Sequence, residues 1–485
     1  MFFSKILQKA REEKFLISLG IFIGLTFLLT WHGFFTGYEK ETWEAAESWV
    51  NGHYQVKRAG PVAIILYLPF VLLARIIPVL HTERFFSLVP VFYSVAQTLA
   101  LFSLVKKIGA SEKIAAVWTI LVALTSGVWV YANAGMEYQA GLFLALLLVL
   151  LLRWKTGAGL AWWPSLGMAA LIGTKAYMLT LGLPYLLFLG ITLYKRGEKR
   201  KFWSFKFLLS AGLLPTIIII LNLVLNWYLH GRLSGSYRFG GEFQIWQWWE
   251  GFYGIFFSAG KNIFLYAPLL ILTLWLWPRF YRREPAPAVF IFVSLGILAV
   301  VNLPFSYWTD ETWGLRKFIP ILPLLLLPVT LIMGEWKEKT RVLKIIFTII
   351  TVFALNVNFL GATYTYGRQL HILRAAEIDS LATMRYLPQW SHPVLFGELF
   401  TSYLHQTWTG IGQEKIYQEY SWLRWVQPSG YDILLRNSWL NLGVYNQPSI
   451  IWFQPRSLNN TLGLGVLGAW LSSVFLLYFL FKKQK

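Results

Sequence analysis

The sequence predicts an all-α polytopic membrane protein, and three observations carry that prediction. The 485-residue chain is 56% hydrophobic and 18% aromatic. Apolar runs of 17 to 23 residues recur from Phe15 to Leu480, and about 20 residues at ~1.5 Å rise are needed to cross roughly 30 Å of hydrocarbon. The formal charge of +20 is concentrated in short segments between those runs.

In chain order, the spans fall at 15–35, 85–105, 114–131, 136–152, 160–173, 176–194, 206–228, 262–278, 286–304, 317–333, 343–362 and 461–481, twelve in all, with both termini inside. This topology puts 25 of the 43 Lys/Arg in cytoplasmic segments and 16 of the 23 Asp/Glu outside, as the positive-inside rule requires. The cationic excess then faces lipid headgroups, and nucleic acid is not a partner. Basic residues Lys5, Lys9, Arg11 and Lys14 precede the first span without a small-residue cleavage site, so that span reads as an uncleaved anchor. The chain has no cysteine, which excludes disulfides and thiolate metal sites.

One apolar run does not fit the alternation. PVAIILYLPFVLLARIIPVL (61–80) is long enough to span, but counting it would move Lys106, Lys107, Lys113, Arg153 and Lys155 outside. Its three prolines and Arg75 suit a broken helix in the plane of the outer interface. Fusing 160–194 into one span is the alternative that would let 61–80 cross. The resulting organisation is a transmembrane module over 1–362 with an outer loop at 36–84, a small extracytoplasmic domain at 363–460, and a last span with a cytoplasmic tail at 461–485. No internal repeat appears. The spans are nearly free of ionisable residues, which argues against a secondary transporter.

The outer segments concentrate the chemistry. Glu39, Glu41, Glu44 and Glu47 precede Lys57 and Arg58 in the first outer loop, and Glu137, Lys175, Lys261 and Arg316 lie in later ones. Carboxylates at a membrane surface can act as general bases, while cations beside them can hold a phosphate. Aromatic residues gather on the same side, among them Trp246, Trp248, Trp249, Phe252, Tyr253, Trp308 and Trp313, where interfacial anchoring also places them. The seven histidines lack ligand spacing, and no nucleotide-binding glycine loop is present. Asp310 and Glu311 could ligate a divalent cation, but no cofactor is expected.

A first span followed by an acidic residue, a short helix ending in glycine, a basic residue and a proline resembles the GT-C membrane glycosyltransferases. Protein O-mannosyltransferases and the lipid A aminoarabinose transferase belong to that group. Here the layout is Tyr38-Glu39, then Trp43, Ala45, Ala46 and Gly52, with Tyr38 where many members carry Asp. SAGKNIFLYAPLLIL (258–272) is similar to a Ser-Pro-Gly-(Arg/Lys)-Gly-Leu-Phe-x-Tyr-x-Pro signature of an uncharacterised bacterial branch, with Ala259 and Asn262 as departures. WTDETWGLRKFIPILPLLLLP (308–328) resembles that branch's Gly-Pro-Arg-Tyr signature, with Leu315 in place of the proline.

The resemblance implies a GT-C fold and an inverting sugar transfer from a polyprenyl-phosphate donor to a sugar, lipid or protein acceptor. The active site would face the extracytoplasmic side of the plasma (inner) membrane. Glu39 would be the base, with Glu41 as the near alternative. Lys57, Arg58, Lys175, Lys261, Tyr266 and Arg316 would serve the phosphate or the acceptor, and Glu137 would orient one of the substrates. A non-catalytic accessory subunit of the same fold is the second reading, and a transporter of a lipid-linked substrate the third.

Overall fold

The computed structural model describes residues 2–32, 37–53, 60–135, 137–156, 160–231, 248–304, 312–364, 391–409 and 457–482. All regular structure among them is helical, with no strand. The chain begins with α1 (Phe2–Leu29), α2 (Gly37–Val50), α3 (Pro61–Ile76), α4 (Val89–Lys107) and α5 (Glu112–Thr125). It continues with α6 (Val128–Ala134), α7 (Tyr138–Thr156), α8 (Trp162–Thr174), α9 (Gly182–Lys195), α10 (Phe205–His230) and α11 (Trp248–Phe257). The remainder comprises α12 (Leu270–Arg283), α13 (Pro285–Asn302), α14 (Arg341–Thr363), α15 (His392–Thr409) and α16 (Ser457–Lys482).

Among the described residues, six helices are long and apolar enough to cross a membrane: Glu83–Lys107, Tyr138–Lys155, Ala176–Lys195, Phe205–Tyr228, Pro285–Asn302 and Arg341–Thr363. The pair α5 and α6, bent by 55° at Ser126–Gly127, makes a possible seventh. The chain thus has the helices of a multi-pass membrane protein.

Several of the twelve expected spans take another form, and proline is the main physical reason. The 262–278 stretch begins as a four-residue turn, Ile263–Tyr266, and stops at Ala267 before Pro268, because the residue preceding proline is pushed out of helical geometry. Only then does α12 start. The 317–333 stretch contains Pro320, Pro323 and Pro328 and is broken into Arg316–Phe318, Leu322–Leu325 and Val329–Gly334. That broken segment is buried from Phe318 to Ile332. Non-helical backbone at this depth is tolerated where protein rather than lipid surrounds it. The 160–173 stretch forms the 13-residue α8, wedged between α7 and α10.

Side-chain periodicity explains which faces pack. On α1, Phe15, Leu19, Ile23 and Phe27 recur every four residues and are buried, with Phe15 and Phe102 of α4 at 6.1 Å between ring centroids. Ile17 and Ile21 between them are exposed. Lipid is as apolar as leucine, so such faces gain little from the hydrophobic effect and rely on close packing and buried hydrogen bonds, each worth about 0.6 kcal/mol on average. Asn133 Nδ2 donates to Thr30 Oγ1 at 2.7 Å and Trp129 Nε1 to the same oxygen at 2.8 Å. The Gly127 N–H donates to Asn358 Oδ1 at 2.8 Å, and the Tyr131 hydroxyl to the Trp313 carbonyl at 2.6 Å. These bonds tie α6 to α1, to α14 and to the 313–318 loop. They fix the position of the 135–137 turn that follows.

The helix α3 lies across helix ends. The Gly60 N–H donates to the Thr174 carbonyl at the end of α8, and a Cβ on Gly60 would come within 2.3 Å of the Gly173 carbonyl, so no other residue fits. Midway, the Leu66 carbonyl accepts from the Tyr93 hydroxyl near the start of α4 at 2.8 Å. At its far end Arg75 donates to Asn51, beyond α2. Ala63, Ile64, Tyr67, Val71 and Ala74 form its buried face against Ala45 and Ala46 of α2. Ile65, Leu72, Leu73 and Ile76 are exposed on the other side.

Candidate functional site

The first turn of α2 carries Glu39, and the helix turns it inward. Only 1% of Glu39 is exposed. Its Oε2 accepts a hydrogen bond from the Tyr67 hydroxyl of α3 and another, at 3.2 Å, from the Tyr138 hydroxyl of α7. Its Cγ lies against Gly135, where a Cβ would approach to 2.2 Å. Gly135 also has φ of +74°, so both the backbone and the space demand glycine. Burial pushes the Glu39 carboxyl up; the Tyr67 bond, the Lys175 charge and the Tyr138 bond pull it down, and Glu137 adds to the rise. The net position is about 8.

The other acids of α2 separate from it. Glu41 is half-buried, and among the described residues its Oε2 has no hydrogen-bond partner. Glu47 approaches His81 Nε2 at 2.5 Å on an exposed rim. Of the four acids, the geometry singles out Glu39.

The 135–137 turn brings a second carboxylate to the same place. Glu137 adopts φ of +59°, a left-handed conformation that side chains rarely take. It is buried, with Oε1 2.6 Å from Lys175 Nζ and 3.6 Å from Arg316 Nε, while Oε2 accepts from the Tyr177 hydroxyl at 3.0 Å. Lys317 Nζ sits 5.1 Å from the Tyr177 ring centroid. Burial alone would raise the Glu137 carboxyl, but the charges of Lys175, Arg316 and Lys317, with the Lys175 hydrogen bond, hold it below the ordinary range. Two neighbouring carboxyls are therefore driven in opposite directions, one toward the protonated form and one toward the anion. That split commonly separates acid–base roles in an active site.

Lys175, expected in an outer turn, follows α8 and is 9% exposed. Arg316, expected at the start of a span, instead leans on Glu137. Lys261 is fully buried in the turn between α11 and Ile263. Tyr266 is also buried; its hydroxyl lies 3.2 Å from His392 Nδ1 and 3.4 Å from the Gly260 carbonyl, and burial raises it well above the usual phenol range. Trp313 packs edge-on to Tyr266 at 5.1 Å and stacks on Phe396 of α15 at 5.8 Å. Tyr266 and Arg316 are joined through the 313–318 loop, where Trp313 packs on Tyr266.

Lys57, Arg58, Asp310 and Glu311 lie outside the described residues, as do Trp246, Trp308 and most of the 363–460 region. Among the described residues, no three His, Asp or Glu side chains gather as a metal site would need. Sequence reasoning missed Tyr67, Tyr138, Tyr177, Lys317 and His392. Tyr67 carries the one hydroxyl in the apolar 61–80 run, a signal that could have marked it. Tyr138 follows Glu137 directly. His392 gives no such sign, because its partner is 126 residues away. No protein-family model matches the chain, and no characterised protein matches it in sequence.

Proposed function

We propose that the chain is an inverting glycosyltransferase of GT-C type, taking a sugar from a polyprenyl-phosphate donor at the outer surface of the plasma membrane. The observation that carries this reading is Glu39, a buried carboxyl with a pKa of about 8, beside an ion-paired Glu137. In the proposed step Glu39 removes the proton of an acceptor hydroxyl or amine as the acceptor attacks C1 of the sugar. The bond from C1 to the phosphate oxygen breaks, and its electron pair leaves with the lipid phosphate. Phosphate is a good leaving group, so cations near its oxygens are needed more than a general acid. Lys175 and Arg316, gathered by Glu137, are the described cations suited to that work, with Lys57 and Arg58 as further candidates.

A general base titrating near 8 is strong for a carboxylate, and correct placement contributes about 10²- to 10⁴-fold. Support for a membrane-surface reaction comes from α3, whose two ends are tied to the Thr174 carbonyl at the end of α8 and to Asn51 just beyond α2. In this reading α3 is the in-plane outer helix and its exposed leucines and isoleucines face lipid. The twelve-span count belongs to the same proposal.

The test uses purified full-length chain in micelles with polyprenyl-phosphate sugars and a panel of acceptors. Transfer by the wild type and at least a 100-fold loss in Glu39→Gln, with unchanged folding, is the expected result. Because the base must be ionised, kcat/KM should rise with pH and level off above about 8. Equal rates in Glu39→Gln and wild type would leave Glu39 without a catalytic role.

A further inference from the structure

Glu39 sits in a closed ring of contacts drawn from four helices. Tyr67 of α3 and Tyr138 of α7 both donate to the same oxygen, Oε2. Tyr138 is fixed in turn, because Gln139 Nε2 donates to its hydroxyl at 2.9 Å and Tyr93 of α4 stacks on its ring at 6.2 Å and 16°. Tyr93 closes the ring by donating to the carbonyl of Leu66, the residue before Tyr67. On its remaining flank Glu39 meets Gly135. Among the described residues, no hydrogen bond engages Oε1.

We propose that Tyr67 and Tyr138 are positioning residues that hold Oε2 so that Oε1 alone is presented to the acceptor proton. A carboxylate free to rotate would share two equivalent oxygens between many orientations. Two donors on one oxygen remove that freedom before the acceptor arrives, and misplacement by about 1 Å can cost on the order of 10²-fold in rate. The inference rests on the sugar-transfer reading for its kinetic meaning, but the arrangement around Glu39 can be read without any substrate.

Infrared spectroscopy of the purified full chain in micelles, titrated from about pH 6 to 10, supplies that reading. The protonated-carboxyl band of Glu39 is identified by its loss in Glu39→Gln. In Tyr67→Phe, which keeps the ring and deletes one donor, the band should move to higher frequency and its titration midpoint should rise, because the lost bond favoured the anion. Tyr138→Phe should act in the same direction and serves if Tyr67→Phe does not fold. Where transfer is measurable, kcat should fall about 10- to 100-fold with little change in KM for the donor. A band unmoved in both variants would overturn the proposal. If the band moves as expected while the wild type transfers no sugar, the positioning role stands and the sugar-transfer reading falls.

Discussion

The two ends of α7 treat charge differently. At its start, Glu137 and Lys175 meet at 2.6 Å with side chains 0% and 9% exposed. At its last turn, Lys155 meets Glu284 at 2.7 Å with exposures of 34% and 17%, and Arg279 and Lys339 share a partly exposed Glu335. Distances alone would rank these pairs as equals. Burial separates them, because taking both ions out of water costs several kcal/mol per ion, and their attraction recovers it only with good geometry. A fold seeking stability alone does better with apolar packing at the first end. The more exposed end is an ordinary arrangement of partly solvated ion pairs, while the dry end keeps an expensive arrangement that chemistry can use.

Removing one partner at each end makes that contrast measurable. The largest effect is expected for Lys175→Met, which leaves a buried Glu137 anion facing Arg316 at 3.6 Å. Breaking a buried pair costs about 3 to 5 kcal/mol, so the thermal midpoint in micelles should drop by several degrees, and adding Glu137→Gln should recover part of it. A double variant no better than the single one would show that the pair is not the source of the cost. Gly135→Ala comes next. The new methyl would strike Glu39 in a backbone conformation that costs about 1 to 3 kcal/mol for other residues, and the expected result is a destabilised chain whose Glu39 carboxyl titrates at an altered pH. The smallest effect belongs to Glu284→Gln at the solvated end, where partly exposed pairs contribute about 0 to 1 kcal/mol. A loss there as large as at Lys175 would erase the distinction between the two ends.

Much of this architecture was legible in the sequence. Hydrophobic run length predicted the helical class and most of the spans among α4 to α14, and the outer-segment residues read with the GT-C resemblance put Glu39, Glu41, Lys57, Arg58, Glu137, Lys175, Lys261, Tyr266 and Arg316 on one candidate list. In the structure, Ser111, Ser204 and Thr340 each accept from the N–H three residues on, at the starts of α5, α10 and α14. Legibility failed in two ways. Hydropathy sums apolar residues without regard to prolines, so 262–278 and 317–333 looked like plain spans although Pro268, Pro320, Pro323 and Pro328 break them. The tyrosines that hold Glu39 come from positions 28 and 99 residues away, and pairing over such separations leaves no local periodicity to read. Proximity of Glu39 and Glu137 was equally hidden, since it depends on left-handed backbone at Gly135 and at Glu137 that single-residue patterns do not announce.

The proline-broken stretch from Phe318 to Ile332 is greasy yet enclosed by its own chain, with the Trp118 indole N–H donating at 2.9 Å to the Leu326 carbonyl, which also accepts from the Val329 N–H. Its leucines are chosen by shape rather than by solvent, like pieces of an interior jigsaw. One aliphatic residue should therefore replace another at little cost among the exposed Ile217, Ile220 and Val224 of α10, whereas each methyl group in this inner stopper is answerable to a neighbour.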